Sequence, residues 1–194
     1  MRTPVAYLFA FCRLLTGIVF LMSVVSKLRG RTAYEEFTAA TRALTRLPAR
    51  RVRPVAALVA AAEAAVAPLL AWGPTVLAGF CVALGLLAAF TVAIVAALRR
   101  GRRVPCRCFG ASAVPVGPGH LARNAVLVVA AAAGAVLAAT EAVVARSGAV
   151  VTGSGAVLAD LDPAGLAAVA LAAGAMAALL SATGEIADLF TSTP

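Results

Sequence analysis

Cys106 and Cys108 form a Cys-Arg-Cys unit within the segment Arg99-Arg-Gly-Arg-Arg-Val-Pro-Cys-Arg-Cys-Phe-Gly110. The guanidinium groups of Arg99, Arg100, Arg102, Arg103 and Arg107 favour thiolate over thiol, and a position between apolar spans leaves the sulfur accessible. A Cys-x-Cys pair can close a small, strained disulfide, and strained disulfides tend to be the oxidising, exchangeable ones. Thiol redox chemistry is therefore the first reading of the pair. Soft thiolates at this spacing could instead hold Cu(I) or Zn with His120 as a third ligand, but two sulfurs leave a tetrahedral site half filled. No metal site is assigned, and inert loop cysteines remain the bland alternative.

Arg13 and Glu63 lie deep in apolar sequence, where each costs at least about 2.5 to 3.5 kcal/mol unless paired or hydrated. Counting from the outer ends of their predicted helices at 1.5 Å per residue puts Arg13 about 12 Å and Glu63 about 13.5 Å down. The matched depths predict an intramembrane ion pair, with arginine gripping the carboxylate by two N–H groups. Such a pair could be a clamp that fixes helix register, or a polar site for a quinone headgroup or a proton. Quinone is the one cofactor these residues suggest. Cys12 and Cys81 each fall about 10 Å below the same surface. Packing accounts for them, since free cysteine behaves as a small apolar residue; as a second thiol pair they would sit across the membrane from the first.

The elements that must position these residues follow from composition. The 194 residues are 62% apolar and 13% charged, against about 45–50% and 25% in soluble domains. A spanning helix needs about 20 mostly apolar residues, and five stretches qualify: Val5 to Ser26, Pro54 to Trp72, Pro74 to Leu98, Leu121 to Ala145 and Ala164 to Ala182. Arg13 interrupts the first run and no small-x-small site ends it, so it reads as a helix of the mature protein and not as a signal peptide. The fold class is all-α: a polytopic bundle in which Gly73 and little else separates the second and third spans.

The net charge of +9 is a topology signal. Lys27, Arg29, Arg31, Arg42, Arg46, Arg50, Arg51 and Arg53 follow the first span, and the arginines around Cys106 follow the third. Short loops rich in Lys and Arg stay in the cytoplasm. The chain should therefore sit in the inner (plasma) membrane with its N-terminus outside and the Cys106–Cys108 loop inside. Membrane lipid is the expected partner of this charge and nucleic acid is not.

Several of these residues together resemble the MauE family of methylamine-utilisation membrane proteins: Arg13 with Gly17, Ser26-Lys27-Leu28, Leu47-Pro48, Glu63, Phe90, Arg100-Gly101, Cys106-x-Cys108-Phe109-Gly110 and Arg123-Asn124. The resemblance covers residues 5 to 145 and implies a four-helix membrane core of the kind shared with DoxX and DoxD. Residues 146–194 match no motif and should add an external loop, a fifth span and a short cytoplasmic tail. The resemblance also implies a role beside a thioredoxin-like MauD-type partner in handling the disulfides of methylamine dehydrogenase. Cys106 and Cys108 would then be the reactive pair, with Arg107, Phe109, Gly110, Arg123 and Asn124 supporting them. The family role concerns disulfides outside the cytoplasm whereas the charge places these cysteines inside, so the expected traffic is of reducing equivalents outward.

The leading function is thus a membrane thiol–disulfide or electron-transfer factor for maturation of an exported protein. A DoxX-like subunit or scaffold of a quinone-linked oxidoreductase, with incidental cysteines, is the alternative; transport of a small ligand or soft metal is a third. No P-loop, zinc-protease signature or dinucleotide fingerprint is present. One histidine and eight carboxylates leave little for hydrolytic chemistry.

Overall fold

A computed structural model describes residues 3–45, 48–100, 118–146 and 162–191. The helices are α1 (Thr3–Leu28), α2 (Arg31–Thr45), α3 (Ala49–Ala71), α4 (Val76–Arg99), α5 (Pro118–Arg146) and α6 (Pro163–Thr191), with a 3-10 turn over Gly73–Thr75 between α3 and α4. All but α2 are long and apolar enough to cross a membrane, over Pro4–Leu28, Arg50–Ala71, Gly73–Arg99, Gly119–Val143 and Pro163–Ser181. The five predicted spans are these helices, and the all-α polytopic bundle is the fold. Pro54 does not start its span as predicted: Pro48 caps α3, and Pro54 and Pro68 both lie inside the helix.

Four spans close a ring in which α1 packs on α3, α3 on α4, α4 on α5 and α5 back on α1. The α3–α4 hairpin is tight because Gly79 faces Leu70, whose backbone nitrogen would lie 3.0 Å from a Cβ at that position. The α4–α5 seam closes on Gly134, where a Cβ would collide with the Phe80 ring. Phe80 also meets Phe9 of α1, ring centroids 6.3 Å apart, so one aromatic ring joins three helices. Small residues at such crossings let helices approach closely, which is what drives association where lipid removes the hydrophobic effect. α6 stands outside the ring and docks mainly on α1. α1 is accordingly the most buried span and α6 the least.

α2 replaces part of what the sequence reading takes as a basic loop. Its buried residues Phe37, Ala40 and Leu44 recur at helical spacing and turn one face toward α1, α3 and α4, while Arg31 and Arg42 stay exposed. This amphipathic helix lies across the end of the bundle that holds Lys27, Arg50 and Arg99, called here the basic end. The opposite end carries the α3–α4 turn and Trp72, whose indole is 70% exposed, a placement usual for aromatics at a membrane interface.

Candidate functional site

α1 gathers its polar residues on the stripe that faces inward. Arg13, Thr16, Ser23 and Lys27 are all buried and recur at helical spacing among Phe9, Cys12, Phe20 and other core side chains. At the basic end of this stripe Lys27 Nζ lies 2.6 Å from both carboxylate oxygens of Glu63 on α3. The two side chains are 2% and 0% exposed. Ser23 Oγ accepts from Lys27 Nζ at 2.9 Å and donates to Glu63 Oε2 at 3.4 Å, so the hydroxyl bridges cation and anion. Phe37 of α2 and Phe90 of α4 flank the ammonium, with ring centroids 4.7 and 5.7 Å from Nζ. A buried charge is tolerated when it is paired and hydrogen-bonded, and the aromatic faces add cation–π attraction. Four helices thus contribute to one enclosed polar centre.

This arrangement corrects the predicted Arg13–Glu63 pair. Counting from helix ends gives equal depth only if those ends are level, whereas α1 and α3 are staggered. Arg13 stands beside the last turn of α3, and Glu63 faces Ser23 and Lys27. Lys27, expected in the cytoplasmic loop, lies in the last turn of α1 and is buried. The sequence carried two signals for it: Lys27 is the only lysine in a chain that otherwise uses arginine, and it stands in the Ser26-Lys27-Leu28 run that carries the family resemblance. Ser23 and Phe37 carried no comparable signal.

Arg13 does a different job. The last four carbonyls of a helix lack intrahelical donors, and in α3 all four find partners. The N–H of Trp72 donates to the carbonyl of Pro68 at 3.1 Å and Thr75 Oγ1 to that of Leu69 at 2.8 Å; Arg13 Nε donates to the carbonyl of Leu70, and Nη2 to that of Ala71 at 2.7 Å. The guanidinium also sits at the negative end of the helix dipole. Arg13→Ala should lower the melting temperature of the detergent-solubilised protein, because two carbonyls lose their donor at roughly 1–3 kcal/mol each when buried. An unchanged melting temperature would refute the capping role. Arg100 acts similarly at the basic end, where Nη2 donates to the carbonyl of Leu44 in the last turn of α2 at 2.8 Å.

Arg123 and Asn124 lie on the inward face of α5. Asn124 Nδ2 donates to the carbonyl of Leu87 at 2.9 Å and to Thr91 Oγ1 at 2.5 Å, fastening α5 to α4. Arg123 Nη1 donates to the carbonyl of Leu180 on α6 at 3.3 Å, and His120 is buried one turn earlier. These contacts hold together the helices that flank the Cys-Arg-Cys segment: α4 ends at Arg99 and α5 begins at Pro118, both at the basic end. Cys106, Arg107, Cys108, Phe109 and Gly110 themselves lie outside the described residues. Cys12 and Cys81 are free thiols. Cys12 points into the core and Cys81 sits on the exposed side of α4, so the structure does not join them as a pair.

Five apolar spanning helices around buried, internally compensated charges define a multi-pass integral membrane protein. The family model for methylamine utilisation protein MauE matches residues 5–139. The chain belongs to this family. No curated protein and no solved structure matches it.

Proposed function

We propose that this chain is a thiol–disulfide or electron-transfer factor of the inner membrane, serving the maturation of an exported protein, with Cys106 and Cys108 as the reactive pair. The supporting observation is that α4 and α5 deliver both ends of the Cys-Arg-Cys segment to the basic end of the bundle, within the part of the chain that matches MauE. The arginines at that end support, by the bias of basic loops toward the cytoplasm, a cytoplasmic position for the cysteines and an outer N-terminus. A thiolate formed there attacks the disulfide of a redox partner through a mixed disulfide, and a MauD-type thioredoxin-like protein fits as a member of the same relay. The dithiol is left as a Cys106–Cys108 disulfide that a cytoplasmic dithiol donor reduces again; because direct exchange cannot cross the bilayer, passage of the two electrons outward requires a helix movement or a membrane electron carrier between the two faces.

Thiol labelling in intact cells tests this reading. Cys106 and Cys108 should react with a membrane-permeant maleimide and be spared by an impermeant one, and acid trapping should find a fraction of the pair as a disulfide. That fraction should shift when the thioredoxin-like partner is deleted. Labelling by the impermeant reagent would invert the topology; a pair reduced in every background would remove the redox role. The scaffold alternative draws support from the internal partners of Arg13, Lys27 and Glu63, all of which hold helices together. A quinone belongs to that alternative and would have to open the Lys27–Glu63 centre.

A further inference from the structure

A groove of about 380 Å³ runs along the outside of the bundle between α1 and α6. Its volume is in the range of small-molecule sites, about 300–1,000 Å³. Leu21, Met22 and Val25 line it and are otherwise exposed toward lipid. The groove follows α1 from Val19 to Arg29, about 15 Å at 1.5 Å per residue, which is half of the roughly 30 Å hydrocarbon core and so the depth of a single leaflet.

Its polar groups are nearly all committed elsewhere. The hydroxyl of Ser26 donates to the carbonyl of Ser23 at 2.7 Å and that of Ser181 to the carbonyl of Ala177 at 2.8 Å. Ser23 is engaged with Lys27 and Glu63. Among the described residues the guanidinium of Arg29, at the basic end of the groove, has no ion-pair partner. Among the described residues the groove therefore offers an apolar trough one leaflet deep that ends in one uncommitted cation. A neutral headgroup would find no hydrogen-bond donor along the trough. A phosphodiester above an acyl chain meets both features, with the guanidinium able to take the phosphate bidentately, and the attraction is strongest for a headgroup whose phosphate charge no choline cation cancels.

We propose that this groove holds one anionic phospholipid of the leaflet at the basic end, its acyl chain beside Leu21, Met22 and Val25 and its phosphate on Arg29. The site does not depend on which way the protein faces or on any thiol chemistry. Basic pockets between spanning helices are where anionic headgroups bind.

The test is native mass spectrometry of the full chain, reconstituted with phosphatidylglycerol and phosphatidylcholine of identical acyl chains and extracted in mild detergent. The wild type should retain one phosphatidylglycerol and discriminate against phosphatidylcholine. Arg29→Gln should weaken that retention about fivefold, the value of a single basic residue at a membrane surface. Val25→Trp, which fills the trough and keeps the charge, should remove the lipid as well. Arg53→Gln, which deletes an exposed charge of α3 outside the groove, should leave it in place. Equal retention of phosphatidylcholine, equal loss in Arg53→Gln, or full retention in Arg29→Gln would each overturn the assignment.

Discussion

Replacing Glu63 with alanine should sharply reduce the folded protein recovered from membranes, whereas replacing Lys27 with methionine and Glu63 with leucine together should restore most of it. The single change strands a buried ammonium among Ser23, Phe37 and Phe90, and breaking a buried pair by removing one partner costs about 3–5 kcal/mol. Removing both charges leaves nothing uncompensated, and apolar replacements of buried pairs are often neutral or better. Lys27→Arg should fall between, because a planar guanidinium is larger than the ammonium these rings enclose. The cycle also separates two partners for Glu63. Arg13→Ala combined with Glu63→Ala should be additive, since Arg13 donates to the carbonyls of Leu70 and Ala71. Monodispersity and melting temperature after mild extraction read all of these variants. A Glu63→Ala protein as stable as the wild type would show that the pair holds nothing.

The second large effect concerns activity with stability unchanged. Under the proposed function, serine at Cys106 or at Cys108 should abolish disulfide maturation of the exported client, because exchange through a mixed disulfide needs both sulfurs. Abundance and melting temperature should stay at wild-type values: the helices around the segment are held by Asn124, Arg123 and Arg100, none of which relies on a thiol. Methylamine dehydrogenase is the first client to assay where the host makes it. Full maturation with both cysteines replaced would end the redox reading and leave the scaffold alternative in front.

How much of this was legible in the sequence differs between levels. The five spans were, because a run of some 20 apolar residues in lipid has one solution, a helix that satisfies its own backbone. α2 was not, although Phe37, Ala40 and Leu44 stand at the right spacing. Its composition is polar overall, and its basic residues are equally what a cytoplasmic loop carries. Arg13 and Glu63 were correctly found as buried charges and wrongly joined. Pairing depends on the stagger between helices, which the number of residues to a span's end does not contain. Asn124 and Arg123 were singled out by resemblance, and their use, to bind α5 to α4 and α6, came only with the structure.

Lys27 has a consequence for how the protein can be watched. Its amine is the only side-chain amine in the sequence, and it is 2% exposed beneath α2. Acylating reagents selective for amines should thus leave the side chains of the folded chain, its thiols apart, nearly untouched. Modification of Lys27 requires α2 to lift and the Glu63 contact to break, so its rate in the membrane would time the opening of the basic end. The other sixteen basic side chains of the sequence, arginines throughout, are guanidiniums and silent to this chemistry.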